Sequence, residues 1–233
     1  YKTKRINLKN TMNRFLKTRL EVDNCTSYLK KHNLISHFFT CKDFDIANIC
    51  QEWNRPDFDK RIDLLDMGAN GSYLLPNAVR LGIKGRKCGI DLGKPEYDLK
   101  GIDYVQGDLM NCPYEDNSFD TITCLSVIEH QVDFDKLAKE CSRLLRKGGV
   151  LYITHDYWNP KVSTEDVGTK LYGLKWTILD ASEVSLLEVA LGKQGLNMTS
   201  NMDWETKETV INDQFCAPYG KKYTFSLLKF KKV

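Results

Sequence analysis

The stretch Leu64-Leu-Asp-Met-Gly-Ala-Asn-Gly-Ser72 joins a short apolar run to a glycine-rich loop, and a helix is predicted directly behind it over 72–81. A strand that ends in a glycine turn and enters a helix presents free backbone N–H groups, and glycine lets a ligand approach the main chain closely. Asp66 lies at the tip of the strand, two residues before Gly68. The stretch therefore predicts a ligand-binding loop at the carboxyl end of a strand.

The spacing of this loop separates classes of nucleotide ligand. Dinucleotide binders bring a pyrophosphate to a G-x-G-x-x-G loop, and Gly68-Ala-Asn-Gly-Ser-Tyr73 does not have that spacing. The Asp66 carboxylate would repel a pyrophosphate, whereas it suits a ligand with positive charges. Both observations argue against a nicotinamide-dependent oxidoreductase.

Short apolar strands and helices alternate around the loop, which indicates a parallel sheet with right-handed crossovers. The predicted strands of this unit cover 62–65, 87–92, 102–107, 119–126 and 150–154. Asp133 caps the helix before the last of them, and Gly148 and Gly149 are expected to end it. Two later strands, near 195–204 and 221–231, have no helix between them and must therefore be antiparallel.

Further helices are predicted outside this unit. Three N-terminal helices are expected over about 6–22, 27–35 and 44–53, and one over 181–191 begins at a capping box of Asp180 and Glu183. We expect an α/β, Rossmann-like three-layer sandwich with a seven-stranded, mostly parallel sheet and an antiparallel last strand. Residues 1–60 are expected to be a helical extension, as part of the same domain or as a cap, and residues 61–233 the ligand-binding domain.

The N-terminal segment is basic although the whole chain has a net charge of only +3. Residues 1–31 hold nine Lys and Arg against Glu21 and Asp23. One interpretation is a patch for nucleic acid or a phosphorylated acceptor. We favour a helix with a solvated basic face, because apolar residues recur there at helical spacing. These residues are Met12, Phe15, Leu16 and Leu20.

Composition limits the class of protein. Hydrophobic residues make up 42% and charged residues 28%, the balance of a soluble globular protein, and no apolar stretch has the roughly 18 residues of a membrane span. The eight cysteines form no C-x-x-C pair, and neither their spacing nor that of histidines predicts a metal site. Cys88, Cys124 and Cys141 lie in apolar patterns, which predicts buried free thiols and a cytoplasmic location. The chain begins at Tyr1 rather than Met, so the question of a preceding leader stays open.

Several segments together resemble the class I S-adenosylmethionine-dependent methyltransferase family. The loop follows the family's D/E-x-G-x-G motif, with Asn70 where the second glycine is usual. Asp91 ends the second strand, and Gly107-Asp-Leu109 ends the third. Residues 116–130 resemble the fourth-strand signature, including its E-H pair, and residues 144–151 resemble the turn into the fifth strand. The resemblance spans about residues 60–156.

The resemblance implies S-adenosylmethionine as the cofactor and a small-molecule methyl acceptor as the partner. Asp91 would bind the two ribose hydroxyls, Asp108 the adenine amino group, and Leu109 would pack on the adenine ring. The complete set of expected cofactor-binding residues is Asp66, Met67, Gly68, Ala69, Asn70, Gly71, Asp91, Leu92, Asp108, Leu109 and Ser126.

Catalytic residues are expected after the fourth and fifth strands, on the acceptor side of the methyl group. His130 and His155 could each act as a general base near neutral pH. The E-H pair could equally hold the fold in place. Asp156 could orient His155 or bind acceptor hydroxyls.

The acceptor is expected to be methylated on oxygen. A sugar or glycan intermediate is suggested by the aromatic residues of the 157–179 loop, which could equally anchor that loop to the core; they are Tyr157, Trp158, Tyr172 and Trp176. An RNA methyltransferase that uses the basic N-terminus is an alternative. Cys124-Leu-Ser-Val127 stands where enzymes that methylate base amines often carry N/D-P-P-Y/F, which argues against nucleic acid. A non-catalytic cofactor-binding scaffold is a further alternative, and the oligomeric state stays open.

Overall fold

The computed structural model describes residues 12–95, 99–170, 173–207 and 218–233. Its helices are α1 (Arg19–Lys31), α2 (Asp43–Trp53), α3 (Leu74–Arg80), α4 (Phe134–Leu144) and α5 (Ala181–Lys193). Its strands are β1 (Arg14–Phe15), β2 (Leu64–Met67), β3 (Lys87–Asp91), β4 (Asp103–Gln106), β5 (Phe119–Leu125), β6 (Leu145–Thr154), β7 (Asp156–Tyr157), β8 (Leu196–Met198) and β9 (Thr224–Lys232).

The central sheet confirms the predicted α/β architecture. Strands β4, β3, β2, β5 and β6 lie side by side in parallel, in that order. The last strand, β9, runs antiparallel against β6, and β8 runs antiparallel against β9. The carboxyl ends of β2, β3, β4 and β5 therefore meet at one edge, where ligands bind in open α/β sheets.

Within the described ranges the sheet has nine strands rather than the predicted seven. The two additional strands, β1 and β7, have two residues each, and both pair with β9. They form because β9 is nine residues long and pairs with β6 only through Leu228–Lys231. Its first half is left for β1 and β7, which are too short to show a strand pattern in the sequence.

The predicted helix over 6–22 is wrong for residues 12–18, and its first residues lie outside the part of the chain that the structure describes. The backbone of Asn13 and Leu16 instead bonds to β9, through Leu227 and Phe225. Helix α1 begins only at Arg19, where the Thr18 side chain forms a capping box with Glu21. The helix predicted over 27–35 is correct only for residues 27–31, the second half of α1, because that helix ends at Lys31.

The interpretation of a solvated basic face is also wrong for this segment. Arg14 is 9% exposed, and its guanidinium bonds to Glu21 at 2.8 Å. The Lys17 ammonium lies 2.7 Å from Asp203 and 2.6 Å from Glu205. The acids that pair with Lys17 are distant in sequence, and no pattern within residues 1–31 could show that contact.

The capping predictions are confirmed. Asp133 accepts the backbone N–H of Lys136 at the start of α4, and Asp180 and Glu183 form the capping box of α5. The predicted helix stop at Gly148 and Gly149 is wrong, because α4 ends at Leu144 and the chain enters β6 at once. The predicted buried free thiols are found as expected at Cys88, Cys124 and Cys141.

Helices α1 and α2 share one hydrophobic core with the sheet. Phe44, Ile49 and Trp53 of α2 belong to the same buried cluster as Leu75 of α3 and Leu125 of β5. This packing places the segment before α2 directly over the glycine loop. None of the helices in the described ranges is long and apolar enough to cross a membrane.

Two leucines test the extended conformation of the N-terminal segment. Leu16 is 0% exposed and Leu20 is 60% exposed, whereas a helix over 6–22 would bury both. We expect Leu16→Ala to lower the free energy of unfolding by about 2–5 kcal/mol and Leu20→Ala to change it by less than about 0.5 kcal/mol. Urea unfolding of the two variants measures the difference, and equal losses would contradict the extended segment.

Candidate functional site

The glycine loop begins with a tight left-handed turn. Gly68 has φ +79°, and a Cβ at this position would lie 2.1 Å from Cγ2 of Val127. Gly71 has φ +75° with open space around it. Asn70 is not among the residues with positive φ. Gly68 and Gly71, and not Asn70, therefore carry the left-handed conformation of the loop.

Asp66 holds the loop from behind rather than lining a cavity. It is 0% exposed and accepts the hydroxyl of Thr123 at 2.6 Å and the hydroxyl of Ser72. Burial raises the pKa of Asp66 to about 6. Met67 and Ala69 are also fully buried. Asp66, Met67 and Ala69 were expected to bind the cofactor, and they instead support the loop from the protein interior.

A first cavity of about 390 Å³ opens at the carboxyl ends of β2, β3 and β5. It brings together seven residues that the sequence analysis selected: Gly68, Asn70, Asp91, Leu92, Leu109, Ser126 and His130. The selected residues outside its lining are Asp66, Met67, Ala69, Gly71, Asp108, His155 and Asp156. Asp108 is exposed, and its carboxylate accepts the backbone N–H of Met110.

Two backbone groups hold the Asp91 carboxylate against this cavity. Its Oδ1 accepts the N–H of Gly93 at 2.7 Å, and its Oδ2 accepts the N–H of Asn70 at 3.1 Å. Each oxygen keeps a further lone pair for a ligand donor. The Oδ1 atom of Asn70, which is buried, has no hydrogen-bond partner among the described residues. The wall of the cavity therefore offers acceptors to a ligand that carries hydroxyl or amino donors.

A second cavity of about 320 Å³ lies between the glycine loop and the segment before and within α2. The two cavities share Asn70, Leu125 and Ser126. Ser126 has φ +54°, a conformation that costs a non-glycine residue free energy and often marks a functional position. The remaining lining residues are His37, Phe38, Phe39, Lys42, Asp45, Ile46, Gly71 and Ser72.

Polar residues of this second cavity form a connected wall. The Lys42 ammonium bonds to the Ser126 hydroxyl and lies 3.7 Å from the centre of the Phe225 ring. Asp45 is 1% exposed, and its Oδ2 accepts the Thr154 hydroxyl at 3.0 Å. Thr154 in turn accepts the backbone N–H of Ser126 through the same hydroxyl oxygen, at 3.1 Å. These contacts place the Lys42 ammonium and the Asp45 carboxyl group next to Ser126, one of the three residues that line both cavities.

Of the three expected catalytic residues, His130 lines a described cavity, whereas His155 and Asp156 line neither. His130 lines the first cavity, and burial together with the Lys42 charge lowers the pKa of His130 to about 4. His155 is 0% exposed and lines neither cavity. Asp156 is also buried, and its Oδ2 accepts the indole N–H of Trp176 at 2.7 Å. Burial raises the pKa of the Asp156 carboxyl group.

The aromatic residues of the 157–179 loop anchor it to the core. Tyr157 is 2%, Trp158 7% and Trp176 3% exposed, and none of them lines either cavity. Tyr172 lies outside the described residues. The described aromatics therefore give no support to a sugar-binding loop.

Sequence reasoning missed Lys42 and Asp45. Both belong to the N-terminal helical part, which carries no recognisable motif. A signal was present, however, because Asp43, Asp45 and Asn48 interrupt the apolar positions of α2, and all three are buried. Polar side chains on a buried helix face need partners or a ligand.

Comparison with known proteins agrees with this geometry. Residues 65–153 match the family model described as a methyltransferase domain. The chain is 36% identical over 90 residues to a phthiotriol/phenolphthiotriol dimycocerosates methyltransferase of Mycobacterium ulcerans. This alignment covers 37% of the present chain and 33% of that enzyme. The chain is also 32% identical over 111 residues to a demethylmenaquinone methyltransferase of Staphylococcus saprophyticus. That alignment covers 44% of the present chain and 47% of the enzyme.

A solved structure extends the similarity over most of the chain. The geranyl diphosphate C-methyltransferase of Streptomyces coelicolor, solved with S-adenosyl-L-homocysteine, has a TM-score of 0.56 at 15% identity. The match covers 92% of this chain and 81% of that enzyme. Because the sequence identity is low, this match is evidence for the fold alone. The alignments with the two curated relatives span less than half the length of those enzymes.

The fold and the family match of residues 65–153 support a class I S-adenosylmethionine-dependent methyltransferase domain, a class whose cofactor is S-adenosylmethionine. The first cavity fits this cofactor, because Gly68 lines it without a side chain and Asp91 and Asn70 offer oxygen acceptors.

The two left-handed glycines provide a matched test of the loop. Both substitutions, Gly68→Ala and Gly71→Ala, force alanine into the left-handed region, at a cost of about 1–2 kcal/mol in stability. Only Gly68→Ala also pushes Val127, which lines the first cavity. Overpacking of about 1–3 kcal/mol would weaken S-adenosylhomocysteine binding about 5- to 100-fold, whereas Gly71→Ala would keep it. Calorimetry measures both affinities. An equal loss of affinity in the two variants would contradict the role assigned to Gly68 in shaping the first cavity.

Proposed function

We propose that this protein transfers the methyl group of S-adenosylmethionine to a hydroxyl oxygen of a small acceptor held in the second cavity. When bound, the cofactor supplies an electrophilic methyl group on its sulfonium sulfur, which keeps the electron pair of the broken carbon–sulfur bond. The acceptor loses a proton and gains the methyl group. The observation that carries this proposal is the pair of cavities that adjoin at Asn70, Leu125 and Ser126.

The residues of the first cavity have the types that cofactor binding needs. We assign Asp91 to the ribose hydroxyls, since a carboxylate held by two backbone N–H groups can accept both hydroxyl donors. Leu92 and Leu109 supply apolar surface for the adenine ring. Gly68 allows the ligand to approach the main chain, and Asn70 offers its amide oxygen.

The residues of the second cavity suit a polar atom of the acceptor beside apolar surroundings. Ile46 and Leu125, which are buried, form a dry part of its wall, the rings of Phe38 and Phe39 add apolar surface, and Lys42 supplies a hydrogen-bond donor. Water exclusion strengthens electrostatic interactions with the reacting oxygen and prevents hydrolysis. The relatives described above are a phthiotriol/phenolphthiotriol dimycocerosates methyltransferase and a demethylmenaquinone methyltransferase, and an acceptor with an apolar body is in keeping with this lining.

The described part of the basic N-terminal segment does not support the alternative of an RNA methyltransferase. Arg14 and Lys17, in the basic N-terminal segment, are engaged with Glu21, Asp203 and Glu205. Phosphate binding by these two residues would require breaking those ion pairs. A small-molecule acceptor therefore remains the proposal.

Cofactor binding tests the proposal most directly. In calorimetry, S-adenosylhomocysteine should bind the wild-type chain and NAD should not. Asp91→Asn should weaken binding about 10- to 100-fold, because hydrogen bonds to a charged group contribute about 1.5–3 kcal/mol. Asp103→Asn is the matched control, since Asp103 is an exposed carboxylate at the start of β4, outside the first cavity. Absence of binding to the wild-type chain would rule out the proposed function.

A further inference from the structure

Asp45 stands out among the buried acids because it lines a cavity and one of its carboxylate oxygens has no hydrogen-bond partner among the described residues. Its Oδ2 is held by the Thr154 hydroxyl at 3.0 Å, and its Oδ1 is buried with no hydrogen-bond partner among the described residues. Asp45 also lines the second cavity. A buried acceptor without a donor loses free energy, so this geometry favours a ligand donor at Oδ1.

The position of Asp45 connects it to the cofactor cavity. The Thr154 hydroxyl that holds Asp45 also accepts the backbone N–H of Ser126. Ser126 lines both cavities, in a strained backbone conformation. Asp45 is therefore tied by one threonine side chain to the boundary where an acceptor atom would meet the methyl group.

We infer that Asp45 is the general base of the methyl transfer, a role that rests on the proposed function. The acceptor hydroxyl donates to Oδ1 of Asp45 and gives it the proton as the acceptor oxygen bonds to the methyl carbon. The carboxylate becomes a neutral carboxylic acid, and it releases the proton to solvent after the product leaves. The transfer needs no oxidant or reductant.

The other titratable groups near the cavities are less suited to this role. His37 accepts the Phe39 N–H through Nδ1 and also bonds to the backbone of Gly71, so it braces the glycine loop. His155, Glu129 and Asp156 line neither cavity. His130 lines only the cofactor cavity, and its lowered pKa of about 4 makes it a weak base.

The surroundings of Asp45 adjust its proton affinity to the task. Burial raises the pKa of Asp45 to about 6, while Lys42 opposes that rise. The other ionisable groups that act on Asp45 are Asp43 beside it, Cys25 of α1, and Glu129 after β5. Asp43 is itself satisfied by Thr26, Ser36 and the backbone of His37. A base with a pKa near the working pH is efficient, and Asp45 is ionised above about pH 6.

Sinefungin provides a probe that needs no knowledge of the acceptor. This analogue of S-adenosylmethionine carries an amine at the position of the methylated sulfonium group, and S-adenosylhomocysteine lacks it. The ammonium should pair with ionised Asp45, so the wild-type chain should bind sinefungin about 10-fold or more tightly than S-adenosylhomocysteine at pH 7.5. This ratio should fall toward one at pH 5, where Asp45 is protonated. Titrating groups that affect both ligands equally, such as Asp66 behind the glycine loop, cancel in the ratio.

Two variants complete the experiment. Asp45→Asn keeps the shape of the side chain but cannot ionise, so the affinity ratio should be near one at both pH values. Glu129→Gln is the matched control, since Glu129 is an equally buried acid with an unpartnered Oε2 among the described residues but lines neither cavity. It should keep the wild-type ratio at pH 7.5 and its fall toward pH 5, with the midpoint of that fall moved to lower pH because the Glu129 carboxyl group acts on Asp45.

The outcomes separate this inference from the proposed function. If S-adenosylhomocysteine binds but the ratio depends neither on pH nor on Asp45→Asn, the role of Asp45 is wrong and the cofactor assignment stands. If the wild-type chain binds neither compound, the proposed function fails and the role of Asp45 fails with it. If Asp45→Asn does not fold, the pH dependence of the wild-type and Glu129→Gln ratios decides.

Discussion

The architecture of the site depends on the buried carboxyl group of Asp66. It joins β2 to β5 through Thr123 and to the start of α3 through Ser72, so a single side chain holds both sides of the glycine loop. Burying a carboxyl group is costly unless hydrogen bonds satisfy it, and here two hydroxyl donors do so. The loop is thereby held in the conformation that lets Gly68 pass close to Val127. The shape of the first cavity follows from this arrangement.

The second cavity depends on a different part of the chain. Helix α2 packs on the common core through Phe44, Ile49 and Trp53, and this packing carries Lys42 and Asp45 to the edge of the sheet. Three further buried groups, Glu129, His155 and Asp156, lie behind them. Such a concentration of buried ionisable groups reduces stability, and clusters of this kind often occur where a protein performs chemistry. The Lys42 ammonium offsets part of the cost, since it favours the ionised form of each of these carboxyl groups.

The fold was largely predictable from the sequence, and the lining of the second cavity was not. The parallel strands, the caps at Asp133 and Asp180 and the position of Asp91 at the first cavity follow from local patterns, because strand periodicity, cap chemistry and motif spacing involve neighbours in sequence. The conformation of residues 12–18 was wrongly predicted for the opposite reason. Its helical spacing is real, but pairing with β9, more than 200 residues later, supplied backbone hydrogen bonds that outweighed the local preference.

The sequence by itself determined the α/β architecture and most of the residues that line the first cavity. These residues lie at the ends of successive strands, where a parallel sheet brings them together whatever else the chain does. Only the tertiary structure decided that Asp66 braces the loop from behind, that His155 lies away from both cavities, and that Asp45 lines the second one. Such roles depend on which faces of distant elements pack together, and hence on burial and hydrogen-bond partners that no local pattern encodes.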